Sequence, residues 1–145
     1  MQFALKEARK ARDIMEVPVG AIVVHRETSK IIASAYNMVE KTKIPIYHAE
    51  ILALTKASKK IQSRYLTNYD LYVTLEPCSI CAAAIAMFRI GRLFYGAMDS
   101  KFGAIDSTSK FFSSPSCFFK PEIYSGICEE ESSLLMKDFF KNLRL

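Results

Sequence analysis

The stretch that most restricts the fold is Leu71 to Gly96, where a strand, a helix opened by a proline and a second strand follow one another. Leu71-Tyr72-Val73-Thr74-Leu75 is short, apolar and rich in β-branched and aromatic residues, which reads as a strand. Pro77 stands where a first helical turn tolerates proline, and a helix of small residues is predicted from about Cys78 to Arg89, ended by Gly91. Leu93-Phe94-Tyr95-Gly96 is the next strand. Strand, helix and strand in that order require a parallel pair joined by a right-handed crossover. The core is therefore expected to be a mixed sheet covered by helices.

The rest of the chain supplies more elements of the same kind. Phe3, Ala4, Ala8, Ala11 and Ile14 recur at helical spacing with basic residues between them, which predicts a first amphipathic helix over Gln2 to Met15. Val19 to Val24 reads as a buried strand, and Ile31 to Tyr36 is expected to pair with it as a hairpin across the charged turn His25 to Lys30. Asn37 to Tyr47 reads as a polar connection, followed by a helix from His48 to about Ile61 with Ile51, Leu54, Ala57 and Ile61 on its buried side. Beyond Asp99 the pattern weakens into an aromatic, serine-rich loop over Phe111 to Phe119. Helical spacing resumes from Glu130 to Leu145 through Leu134, Leu135, Phe139 and Leu143. No repeat or linker divides the chain, so one domain spanning 1–145 is expected.

Composition narrows the function classes. A chain of 145 residues needs no disulfides to close a core, and its start lacks the apolar centre of a signal peptide, so a reducing cytoplasm is the expected setting. The longest nearly uncharged apolar run, Pro77 to Phe88, is too short for the ~20 residues that cross a bilayer, and no membrane role is indicated. The formal charge is +5, and residues 1–70 carry the whole excess, with twelve Lys and Arg against seven Asp and Glu. Such a basic face suits a polyanion such as RNA as well as it suits plain solvation.

The chemistry lies in two helix starts. Cys78 and Cys81, three apart at the opening of a helix, share a face and can present two thiolates to one ion. His48 is the best candidate for a third ligand. Three ligands leave a fourth zinc position for water, the mark of a catalytic site. Two thiolates already balance the charge of Zn²⁺, so the metal needs a nearby base to take a proton from that water, and Glu50 is placed for the task. His48 and Glu50 can serve one site only at a helix start, because residues two apart diverge within a regular helix.

The pairing of His48-Ala49-Glu50 with Pro77-Cys78-Ser79-Ile80-Cys81 resembles the signature of the cytidine and deoxycytidylate deaminase superfamily. Further segments resemble the bacterial tRNA-specific adenosine deaminases in order along the chain: Val17-Pro18-Val19-Gly20-Ala21, Asn37, Leu71 to Cys78, Arg89-Ile90-Gly91-Arg92, Gly96-Ala97 with Asp99 and Lys101, and Asp138-Phe139-Phe140. The resemblance implies a three-layer α-β-α fold with a mixed five-stranded sheet. It also implies deamination of adenosine to inosine in the anticodon stem-loop of tRNA at the wobble position, with one Zn²⁺ per subunit of a homodimer. By it, His48, Cys78 and Cys81 are the zinc ligands, Glu50 carries protons between water, ring and departing ammonia, Asn37 binds the base, and Asp99 lies near the ribose. Ile46, Tyr47, Met98, Phe102, Ile105 and Asp106 depart from the family pattern around the expected substrate pocket.

Other readings stand beside this one. An enzyme of the same chemistry could deaminate a free base or nucleoside of the guanine, cytosine or cytidine type, and a non-catalytic deaminase fold could bind RNA or a partner only. The two cysteines could form a redox pair, and Glu50 could be a solvated helix-start carboxylate. Asn37 could be a turn former and Asp99 a cap. His25 reads as an exposed turn residue and Cys117 and Cys128 as small packing residues. One of Phe139 and Phe140 is expected to pack the last helix.

Overall fold

The structure, a computed structural model, describes residues 1–144. Helix α1 (Gln2–Asp13) leads into strands β1 (Gly20–His25) and β2 (Ile31–Tyr36), a short helix α2 (Val39–Thr42) and helix α3 (Ala49–Ile61). Strand β3 (Tyr69–Leu75), helix α4 (Ser79–Met87) and strand β4 (Arg92–Ala97) follow. A 3-10 turn (Phe111–Ser113), strand β5 (Glu122–Tyr124) and helix α5 (Glu129–Leu143) complete the chain. The five strands form one mixed sheet in the order β2-β1-β3-β4-β5. β1 pairs antiparallel with β2 and β3, while β3, β4 and β5 run parallel.

Alternation along the strands divides the chain into three layers. Ala21, Val23, Ala33, Ala35, Leu71, Val73, Leu93 and Tyr95 point to one face, where they bury the apolar sides of α3 and α4 in the main core. The opposite face is covered by α1 and α5, with Leu5, Ala8 and Leu135 as a smaller core. α1 lies almost against the sheet: a Cβ on Gly20 would collide with the backbone of Ala4 and Ala8. Among the described residues no helix is long and apolar enough to cross a membrane.

Several details differ from the sequence expectation. α4 is ended at Arg89, not Gly91. Arg89 takes φ 53°, its N–H bonds the Ala86 carbonyl at 3.1 Å, and the Ile90 N–H bonds that of Ile85 at 3.2 Å. This is a Schellman cap with arginine in the left-handed position that glycine usually fills. Gly91 serves close approach instead, because a side chain there would meet Thr67 and Arg26. The buried side of α3 runs through Ala49, Glu50, Ala53, Leu54 and Ala57, so Ile51 and Ile61 lie at its margin. In α5, Ser132, Leu135 and Phe139 face inward while Leu134, Leu143 and Phe140 are exposed. Phe112 is buried within the aromatic loop, Cys117 packs partly against the main core, and Cys128 is exposed rather than packed. His25 is half-buried at the end of β1, its ring edge-on to Tyr69.

Candidate active site

The C-terminal ends of β3 and β4 and the N-termini of α3 and α4 meet at one pole of the sheet. Both ligand segments stand just outside helical geometry. His48 is the N-cap of α3 (φ −75°, ψ 153°) and Cys78 the N-cap of α4 (φ −75°, ψ 178°). Pro77 therefore precedes the first turn instead of lying in it. The extended backbone at His48 lets its ring and the Glu50 side chain reach the same region, as a regular helix would not.

His48 Nδ1 lies 3.5 Å from Cys78 Sγ and 3.4 Å from Cys81 Sγ, and the three donor atoms all fall within 4.8 Å of one another. Zn–S bonds of about 2.3 Å and Zn–N bonds of about 2.0–2.1 Å at tetrahedral angles place such atoms about 3.6 Å apart. The donor set fits zinc in both chemistry and spacing. The imidazole Nδ1 faces both sulfurs. Cys81 is buried, whereas His48 and Cys78 are half-buried, so one side of the cluster is open.

Among themselves the three groups share protons unequally. The hydrogen bond from the Cys81 thiol, aided by His48, holds Cys78 down to about 4 despite its burial. Cys81 is pushed far up in return, by the same bond and by burial. His48 is raised, chiefly by its bond to Cys78. Glu50 is 4% exposed and within hydrogen-bonding reach of Cys81. Burial lifts its carboxyl to about 7, against the opposing pull of backbone hydrogen bonding and His48.

Asn37 and Asp99 are both brought to this pole. Asn37 Oδ1 accepts the Ala49 N–H at 2.8 Å, so it caps α3 between His48 and Glu50, and its Nδ2 makes no hydrogen bond to the described residues. Asp99 Oδ1 accepts the N–H groups of Lys101 at 3.0 Å and Phe102 at 3.1 Å, closing the turn that leaves β4.

A residue that the sequence reading left out of the site is Glu76. Its buried carboxylate accepts the N–H groups of Asp99 (2.9 Å), Ile105 (3.2 Å), Asp106 (2.8 Å) and Ser107 (2.9 Å), and the Ser107 hydroxyl at 2.5 Å. Burial raises its pKa, but these donors outweigh that effect and hold it below the ordinary carboxylate value. Ala104 N–H bonds the Pro77 carbonyl at 2.8 Å, so the whole 99–107 loop is tied to the segment that carries Cys78.

Residues 1–97 match the cytidine and deoxycytidylate deaminase zinc-binding region. The tRNA-specific adenosine deaminase of Rickettsia bellii is 56% identical over 99% of this chain and 99% of its own. That of Agrobacterium fabrum is 44% identical over 100% of this chain and 94% of its own. The chain belongs to the tRNA-specific adenosine deaminase branch of the cytidine and deoxycytidylate deaminase family. A solved structure from a study of A-to-I editing by tRNA:A34 deaminases at the wobble position superposes with a TM-score of 0.90 at 44% identity, covering 93% of this chain and 96% of the other. The guanine deaminase of Nitrosomonas europaea shares the fold at a TM-score of 0.82 and 20% identity, covering 95% of this chain and 81% of its own. The family's zinc-binding region includes the three converging side chains, and the three-layer architecture with its five-stranded mixed sheet is the family fold.

Proposed function

We propose that the chain is a zinc-dependent hydrolytic deaminase that converts adenosine to inosine in tRNA, at the wobble position of the anticodon. Identity over its whole length to tRNA-specific adenosine deaminases carries this reading. His48, Cys78 and Cys81 would hold one Zn²⁺ per subunit, which when bound lowers the pKa of a water at the open position. Glu50, buried beside Cys81, would carry a proton from water to the purine ring as the C6–O bond forms. A second proton passes through the same carboxylate to the amine, the C6–N bond breaks, and ammonia leaves. Water is the only co-reactant. Asn37 would orient the base through its free Nδ2, and Asp99, on the turn anchored by Glu76, would lie near the ribose.

A homodimer in the cytoplasm is the proposed working form. α4 is apolar on all sides, and the outward Ile80 and Met87, seven apart on one face, are 50% and 65% exposed. An apolar partner surface suits that face.

The test is a pair of variants assayed on unmodified tRNA, with inosine read by sequencing as guanosine. Glu50→Ala is expected to keep zinc and lose at least the 10²- to 10⁴-fold that acid–base catalysis supplies, by about that range. Cys78→Ser loses both metal and activity. Retained activity in Glu50→Ala removes Glu50 from the mechanism, and ammonia released from free bases but not from tRNA replaces the substrate.

A further inference from the structure

At the pole opposite the candidate site, β1 ends, β3, β4 and β5 begin, and α3 and α4 finish. Eight basic residues gather here. Arg26 and Arg92 share the buried carboxylate of Asp70, at 3.3 Å and 2.5 Å, which leaves one positive charge over. Arg64 and Arg89 both stack on the exposed ring of Tyr65, at 4.9 Å and 4.2 Å from its centroid, and neither has an ion-pair partner among the described residues. Lys59 and Lys60 end α3 beside them, Lys30 lies in the β1–β2 turn, and Lys120 precedes β5. Glu27, Asp70 and Glu122 stand among these eight basic groups on the same turns and strand ends. These eight are a large share of the chain's 20 basic residues.

The manner in which Arg64 and Arg89 are held matters more than the count. Stacking on an aromatic ring fixes a guanidinium without consuming its N–H donors, whereas a carboxylate partner would occupy them. Arg89 also holds the left-handed position of a helix cap that glycine would fill at lower cost. Oriented guanidinium groups with free donors, set among uncompensated lysines, match the phosphates of a nucleic acid backbone.

We propose that this pole is a second RNA-binding surface, which takes the phosphate backbone of the substrate RNA outside the deaminated loop. It rests on tRNA being the substrate and extends the contact to a face that the candidate site does not include. A chain of this size spans roughly 35–40 Å, so the two poles engage separate parts of an RNA.

The experiment compares the zinc-loaded parent with Arg64→Ala/Arg89→Gly, in which glycine relieves the cap and protects the fold. Affinities for intact tRNA and for an isolated anticodon stem-loop are measured across salt, with zinc content and Tm as controls. Two lost phosphate contacts reduce the slope of log affinity against log salt by about 1.4–1.8, so the variant is weaker at low salt and the ratio of parental to variant affinity for intact tRNA shrinks by about tenfold over a fourfold rise in salt. Stem-loop affinity and deamination stay at the parental level. Equal slopes for the two proteins on intact tRNA overturn the proposal, and so does an equal loss on tRNA and stem-loop. Absence of inosine with the parent defeats the deaminase reading alone, because the difference in salt slope is measured independently of catalysis.

Discussion

Glu76 is the residue whose importance the sequence hides most completely. His48, Glu50, Cys78 and Cys81 are legible because their chemistry and spacing restrict them to few uses. Glu76 works instead through backbone N–H groups some thirty residues away, and backbone donors leave no trace in side-chain pattern. A single buried carboxylate satisfies five donors, and a Cβ on Gly103 would collide with it, so the loop is wound closely around that group. Glu76→Gln removes the charge and turns an NH₂ group against N–H donors. Hydrogen bonds to a charged acceptor contribute about 1.5–3 kcal/mol each, so a loss of about 3 kcal/mol is expected. Thermal unfolding would then fall by about 10 °C; an unchanged Tm would show that the loop is held by other contacts. Asn37 illustrates the opposite case. Its turn-forming and base-binding readings do not compete, because Oδ1 caps α3 while Nδ2 stays available.

At the scale of elements, the strand–helix–strand unit and the hairpin were readable from alternation and β-branched composition, and helix ends were not. α1, α3 and α4 all close with Schellman bonds, and the left-handed residues are Met15, Gln62 and Arg89. A reading that searches for glycine passes over all three. β5 escaped notice for a related reason: Glu-Ile-Tyr at a sheet edge has one half-buried residue and too little length for a pattern. The caps predict a gain in stability. Gln62 is exposed, with φ 53°, so Gln62→Gly removes the cost of a side chain in that conformation and sacrifices little contact. An increase of about 1 kcal/mol, or about 3 °C in Tm, is expected. A lower midpoint in urea would mean that the Gln62 side chain, not its backbone, stabilises the turn.

Over the whole molecule, the charge excess that sequence order assigns to residues 1–70 is regrouped by the fold. α3 carries Lys59 and Lys60 from the site to the far pole, and the parallel crossover returns Arg89 and Arg92 there from the second half of the chain. The site at the other pole is likewise built from separated segments, since residues 48 and 78 approach only because α3 and α4 start together on one face of the sheet. A metal held by His48, Cys78 and Cys81 would therefore tie the two helices across thirty residues of chain, and it would bind only when the sheet has brought them together. Binding to the folded state alone stabilises by about 2.7 kcal/mol when free metal exceeds its Kd a hundredfold. For a chain of this length that corresponds to about 6–10 °C in Tm. Chelation of zinc is thus expected to lower the Tm of the parent by that amount. Cys81→Ser starts near the lower value and does not respond, because it lacks a ligand that the folded state supplies. Equal responses of parent and variant to the chelator would place the stabilising metal elsewhere than on these three side chains.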